Sequence, residues 1–198
     1  MTAITRTGCA SPAQAVARDT SSDETLIGRI AGGDQLAMRT LFARHRVPIY
    51  RWLLRIVHDE TLAEDLLSDV FLDVWRKAAA FEGRSSVSTW LLAIARHKAL
   101  SARRCRSDAE LDARIATTIA DPADDPEAAL QKKKRSELLR DSLAQLSPEH
   151  GEVIDLVYYH GKSVKEVADI VGIAEATVKT RMFYGRKKLA ELVGTASS

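Results

Sequence analysis

The sequence predicts an all-α protein: two small helical domains joined by a flexible acidic linker, the second containing a helix-turn-helix. Three observations carry this. Across the 198 residues no segment sustains an alternation of period two, whereas apolar residues recur at four-residue spacing. Residues 105–128 lose that spacing and contain Asp121-Pro122 and Asp125-Pro126, the punctuation of a linker. Residues 162–188 carry the third observation. Ser163 and Glu166 form an S-x-x-E capping box. Val167 and Val171 give the helix that follows an inner face, and Ala168 is small enough for a second helix to cross closely. Gly172 can end that helix with a positive φ, Ile173 turns toward the core, and Val178 begins the inner face of a second helix.

The elements follow in chain order. Residues 1–21 are small and polar and read as a disordered tail. Ser21-Ser22-Asp23-Glu24 offers a capping box for helix one, Gly32-Gly33 ends it, and Asp34 caps the next. Helix two runs through Leu41, Phe42, Ile49, Trp52, Leu53 and Ile56, with a kink expected at Pro48. Thr61 with Glu64 caps a third helix expected over residues 62–79, Phe81 to Ser88 is a loop, and a fourth helix is expected from Val87 to Arg104. Beyond the linker, Asp125 caps a helix over 127–145. Ser147-Pro148-Glu149 is a cap followed by proline at the first helical position and opens a helix through Tyr159. The expected divisions are a tail at 1–21, a first domain at 22–104, the linker at 105–128, a second domain at 129–193 and a tail at 194–198.

Composition excludes several function classes. Net charge is only +2, so the overall balance says nothing of nucleic acid; its distribution does. Residues 59–73 hold six acids and no base, 81–106 hold six bases against Glu82, and 107–128 hold seven acids against Arg114. Such segregation points to partners of different charge. Cys9 and Cys105 make no disulfide framework, and a reduced cytoplasmic setting is the simplest reading. The N-terminus lacks an apolar stretch of signal-peptide length, and no run of about 18 apolar residues exists to span a membrane. His45, His58, His97, His150 and His160 are scattered without metal-ligand spacing, and neither a nucleophile elbow nor a phosphate loop is present. No cofactor, metal or enzymatic activity is expected.

Three surfaces carry chemistry. In the third helix Leu62, Leu66, Val70 and Val74 form one row and Leu67, Phe71 and Trp75 the next, with Asp65, Asp69 and Asp73 beside them. The alternatives are a solvated acidic edge and a docking face for a basic partner. The loop at 81–88 joins Arg84, Ser85, Ser86 and Ser88 to Phe81 and Trp90, and Arg96, His97, Lys98, Arg103 and Arg104 follow on the fourth helix. A basic track beside flat aromatic faces suits unstacked single-stranded DNA, although Trp90 beside Leu91 and Leu92 reads better as core. The second helix of the helix-turn-helix carries Lys179, Arg181, Arg186, Lys187 and Lys188 with no acid between them, as a helix entering the major groove requires. Arg181, three residues after Val178, is expected to project toward the groove.

With these motifs in view, residues 23–193 resemble a bacterial RNA polymerase sigma factor of the extracytoplasmic-function (ECF) type. Three ordered blocks carry the resemblance: 64–75, which looks like the polymerase-binding helix; 88–100, which looks like the promoter-melting and minus-ten helix; and Leu146-Ser147-Pro148-Glu149 with the helix-turn-helix, which looks like the minus-thirty-five domain. One departure is the loop before Ser88, shorter than the Asp-Pro-containing loop of many relatives. The resemblance implies that Asp65, Leu66, Asp69, Val70, Asp73 and Trp75 dock on core RNA polymerase. It implies that Arg84, Ser85, Ser86, Ser88, Arg96, His97, Lys98, Arg103 and Arg104 meet the melted non-template strand of promoter DNA. It gives duplex readout of the minus-thirty-five element to Glu175, Ala176, Thr177, Lys179, Thr180, Arg181, Phe183, Arg186 and Lys187. An anti-sigma factor as inhibitor, a monomeric free state and a linker threading toward the RNA exit path are further implications. The rivals are a sigma-like mimic that sequesters an anti-sigma factor, whose recognition helix should have lost the bases retained here, and a stand-alone helix-turn-helix regulator, which would need a sensor or dimerisation domain in place of 23–104.

Overall fold

The computed structural model describes residues 20–109 and 145–196, which fall into two compact units, one within residues 1–111 and the other within 112–198. The expected N-terminal tail up to residue 19, the linker beyond 109 and nearly all of the helix expected over 127–145 lie outside the described residues.

The first unit is built from α1 (Asp23–Ala31), α2 (Gln35–Val57), α3 (Glu60–Lys77), a 3₁₀ turn (Ala78–Ala80) and α4 (Val87–Ala109). Ser22 caps α1 by accepting from the Thr25 backbone N–H, so the cap lies one residue later than the Ser21/Glu24 box expected. Asp34 caps α2 through Leu36 and Ala37 N–H at 2.8 and 3.1 Å and also accepts from Arg29 Nε at 2.9 Å. One carboxylate thereby starts α2 and anchors the last turn of α1, around a corner where Gly33 takes φ 85°. α2 continues through Pro48 to Val57 and ends at His58 in the left-handed conformation (φ 55°). Asp59 then caps α3 through Leu62 N–H, so Thr61 lies inside the first turn and not at the cap. α4 runs to Ala109, five residues past Arg104 and into the stretch expected to be linker. Arg106 Nη1 reaches Asp59 Oδ2 at 2.7 Å and ties the added turn to the start of α3.

Leu26, Leu41, Trp52, Leu53, Val70, Val74 and Leu91 are fully enclosed in this unit. Ala95 and Ala99 are also buried, and their small side chains let α4 lie close against the rest of the core. Leu66 and Val70 belong to this core as well, at 7% and 0% exposure. The expectation that they touch a partner is therefore corrected: the row they form faces inward.

The second unit contains α5 (Pro148–Tyr158), α6 (Val164–Val171) and α7 (Glu175–Ala196). α5 begins after Ser147 with proline in its first turn. The capping box of α6 forms as read: Ser163 Oγ accepts Glu166 N–H at 3.3 Å and Glu166 Oε2 accepts Ser163 N–H at 3.0 Å. Gly172 closes α6 at φ 74°, ψ 39°, its N–H on Ala168 O. Val167, Ala168 and Val171 of α6 and Val178 of α7 are buried, and Ile173 is half-buried. A Cβ at Gly185 would stand 3.0 Å from Ile154 Cγ1, so α7 passes α5 with no side chain between them. α7 stays helical to Ala196, past the expected tail boundary at 194.

Candidate nucleic-acid interface

The loop before α4 is short and locally ordered. Phe81 and Trp90 rings pack with centroids 5.0 Å apart, and Trp90 is half-buried. Gly83 takes φ 68°, Arg84 is exposed beside Glu82, with which it forms an ion pair, and Ser85 is half-buried. Ser86 has a local duty: its Oγ accepts Thr89 N–H at 3.3 Å in N-cap geometry and lies 2.8 Å from Thr89 Oγ1 and 3.2 Å from Ser88 Oγ. Along α4, His97, Arg103 and Arg104 are exposed and Arg96 is half-buried.

Lys98 departs from that group. Its side chain is 21% exposed, and Nζ lies 3.4 Å from Asp73 Oδ2 and 3.8 Å from Asp69 Oδ2 on α3. Partial burial pushes the His58 imidazole below its ordinary pKa, and the charges of Arg103 and Arg55 add to this. Arg55 of α2 therefore belongs to the same positive region as Arg103. The sequence signal was the pair Arg51 and Arg55, four apart on a helix read only for its apolar side.

On α3, Asp65 and Asp69 are exposed, whereas Asp73 accepts from Lys77 Nζ at 3.0 Å. The Lys77 hydrogen bond, with help from the Lys98 charge, holds the Asp73 carboxyl below the ordinary carboxylate range. Trp75 is 37% and Leu72 is 51% exposed. Leu72 was missed because it belongs to neither apolar row; an apolar residue three from Asp69 and three from Trp75 was the signal.

On α7, Glu175, Ala176, Thr177, Lys179, Thr180, Phe183, Arg186 and Lys187 are all exposed. Ala176, Thr180, Phe183 and Lys187 lie roughly opposite Val178 around the helix and form its outermost side. Arg181 corrects the expectation that it points to the groove. Its side chain is only 20% exposed, and Nη2 sits 2.8 Å from Glu149 Oε2 of α5. A residue three after a core-facing position stays on the core side of a helix, which is the reason. Phe183 and Tyr184 pack edge to face at 5.4 Å and are both more than half exposed. Among the described residues no cluster of His, Cys, Asp and Glu could hold a metal, and no helix is long and apolar enough to cross a membrane.

Residues 41–108 match Sigma-70 region 2 and residues 136–189 match Sigma-70, region 4. RNA polymerase sigma factor CarQ of Myxococcus xanthus is 34% identical over 169 residues, covering 84% of this chain and 94% of CarQ. ECF RNA polymerase sigma factor SigL of Mycobacterium tuberculosis is 32% identical over 163 residues, covering 80% of this chain and 90% of SigL. The chain belongs to the ECF family of RNA polymerase sigma factors. The solved structure of the sigma factor RpoE of Bartonella quintana in complex with the anti-sigma factor NepR resembles this sigma factor with a TM-score of 0.63 at 27% identity, covering 77% of this chain and 94% of that one. CnrH, solved with the cytosolic domain of CnrY, shares the fold: TM-score 0.65 at 24% identity, covering 88% and 99%. In this sigma factor the region 2 match spans α3 and α4, and the region 4 match contains the helix-turn-helix.

Proposed function

We propose that this sigma factor binds core RNA polymerase through the exposed side of α3, opens promoter DNA with the 81–86 loop and α4, and reads the minus-thirty-five duplex with α7. The observation that carries the reading is α7 itself. It is a helix held by a capped partner and a positive-φ glycine, whose outer side offers Lys179, Arg186 and Lys187 with small, hydroxylated and aromatic side chains between them. Ala176, Thr177, Lys179 and Thr180 lie in its first turns, where a recognition helix meets base edges, and Ala176 and Phe183 are suited to thymine methyl groups. Arg186 and Lys187 take phosphates, and Glu175 borders the contact.

Of the residues expected to dock on polymerase, Asp65, Asp69 and Trp75 keep that role, and Leu72 joins them. Arg84, Ser85, His97, Arg103 and Arg104 face the melted strand, with Arg96 and Ser88 at its edge and Arg55 extending the phosphate track. The reading includes work in the cytoplasm as a monomer, no catalysis of its own, and restraint by an anti-sigma factor, the kind of partner with which the Bartonella quintana sigma factor was solved.

The test is reconstitution with core polymerase. Wild-type chain is expected to select a defined promoter from a random-sequence pool and to start transcripts from it. Asp65→Arg with Asp69→Arg is expected to abolish co-purification with core enzyme. Wild-type yield of the double variant would remove α3 from the docking surface, and the absence of any selected sequence would overturn the promoter function.

A further inference from the structure

α4 carries its bases in two environments. His97, Arg103 and Arg104 extend into solvent, but the Lys98 ammonium is turned back onto α3, 3.4 Å from Asp73 and 3.8 Å from Asp69. Lys77 approaches the same Asp73 oxygen at 3.0 Å, so two cations converge on one carboxylate that is itself only 21% exposed. Meeting a DNA phosphate would require Lys98 to leave a pair of acids for one anion, with Asp73 left to Lys77 alone. We infer that Lys98 is a positioning residue, a strut that fixes how α4 lies against α3, and not a phosphate contact. The inference deepens the proposed function and rests on it for the roles of the two helices.

The physical reason for a strut lies in the rest of the contact. Val70 and Val74 of α3 and Leu91, Ala95 and Ala99 of α4 are buried apolar residues. Close packing of these side chains sets how near the two helices lie. The Lys98 ammonium, within 3.8 Å of two carboxylates one turn apart, adds a directional tie between them. The strut also divides the acidic row. Asp73 is neutralised from within the unit by Lys77 and Lys98, Asp69 shares the Lys98 charge from its 57%-exposed position, and Asp65 is exposed.

The experiment uses the full chain. Trp52, Trp75 and Trp90 are its three tryptophans and all lie in the first unit, so their fluorescence follows that unit alone. Lys98→Met, Asp73→Asn, the pair together and Lys98→Arg would be compared in two measurements. The first is urea unfolding by tryptophan fluorescence. The second is holoenzyme affinity for the duplex most enriched by wild type from a random pool, across a series of KCl concentrations. A strut predicts that Lys98→Met lowers affinity about five- to tenfold at every salt concentration, within the range of couplings between contacting residues. The slope of log affinity against log salt should not change, the double variant should be no worse than either single, and Lys98→Arg should restore binding. A slope reduced by about one with an unchanged unfolding midpoint would make Lys98 a phosphate contact and overturn the inference. So would simple additivity of the two single substitutions in unfolding. If wild-type holoenzyme enriched no duplex, the promoter reading would fall, and the unfolding cycle would still decide the tie between Lys98 and Asp73.

Discussion

His58 and three aspartates give the first unit a two-step dependence on pH. The His58 pKa is depressed by burial and by Arg103 and Arg55, so the unfolded chain takes up that proton more readily than the folded one. His58 therefore contributes stability that is present above its ordinary value near 6.5 and lost as pH falls through its lower folded value. The Asp34, Asp59 and Asp73 carboxyls are also depressed. The causes are, first, the Ala37 N–H, the Leu62 N–H and the Lys77 ammonium respectively; Arg29, Arg106 and Lys98 add to them. Their contribution is present above 3.8 and lost below it. Urea midpoints read by tryptophan fluorescence should fall once between pH about 7 and 5 and again below about 4. His58→Asn keeps a residue that accepts the left-handed backbone and should remove the upper step only. An upper step that survived this substitution would assign it elsewhere. Arg181 belongs to the same scale. Because it pairs with Glu149, Arg181→Ala should weaken every single-base variant of the selected minus-thirty-five duplex by a similar factor, whereas Thr180→Ala should flatten preference at one or two positions. Lys187→Ala should weaken all sequences alike and lower the salt slope by about one. Loss of preference at one base pair in Arg181→Ala would return that residue to the groove.

At the scale of elements, what was legible in the sequence was what neighbours in the chain decide. The Ser163/Glu166 box, the Gly172 stop and the Asp34 cap each depend on groups a few residues apart, and each lies where its residues put it. The start of α3 was misread because Asp59 and Thr61 both offered a capping oxygen. His58 in the left-handed conformation ends α2 one residue before Asp59, which hands the cap to Asp59. Leu66, Val70 and Arg181 were misplaced against the helix period itself, which sets all three on inner sides, whereas the acids that hold Lys98 come from another helix and its own spacing does not name them. The exposed set on α7 was legible because Val178 marks the inner side and the helix period does the rest. In the 81–86 loop the observed cap and the proposed part in promoter opening can be tested separately. Ser86→Ala removes the bond to Thr89 N–H and should cost the first unit about 1 kcal/mol, with Ser86→Asn restoring most of it. Arg84→Ala should leave the urea midpoint alone and reduce permanganate reactivity of promoter thymines. Unchanged reactivity in Arg84→Ala would leave the loop a connector.

At the scale of the molecule, each unit has its own buried apolar residues: Trp52, Leu53 and Val70 among those of the first, Val153, Leu156 and Val178 among those of the second. The two should therefore unfold as separate transitions. Tryptophan fluorescence follows the first alone, whereas far-ultraviolet circular dichroism follows the helices of both, so the two urea curves of the full chain should not coincide. Superimposable curves at several temperatures would mean that the units stabilise each other.

Gly185 has a consequence for how firmly this protein grips without changing what it spells. Seven residues separate it from Val178, two turns of α7, and there an added Cβ requires Ile154 to give by a few tenths of an ångström. An alanine there would press on Ile154 under the far half of the rod. The near half, pinned by Val178, would keep its letters: Ala176, Thr177 and Thr180 would meet the same bases. The far half, with Arg186 and Lys187, would be pushed outward and lose its fitted distance to the sugar-phosphate rail. A single added carbon should thus turn down the volume of this sigma factor at all its promoters, leaving their ranking intact.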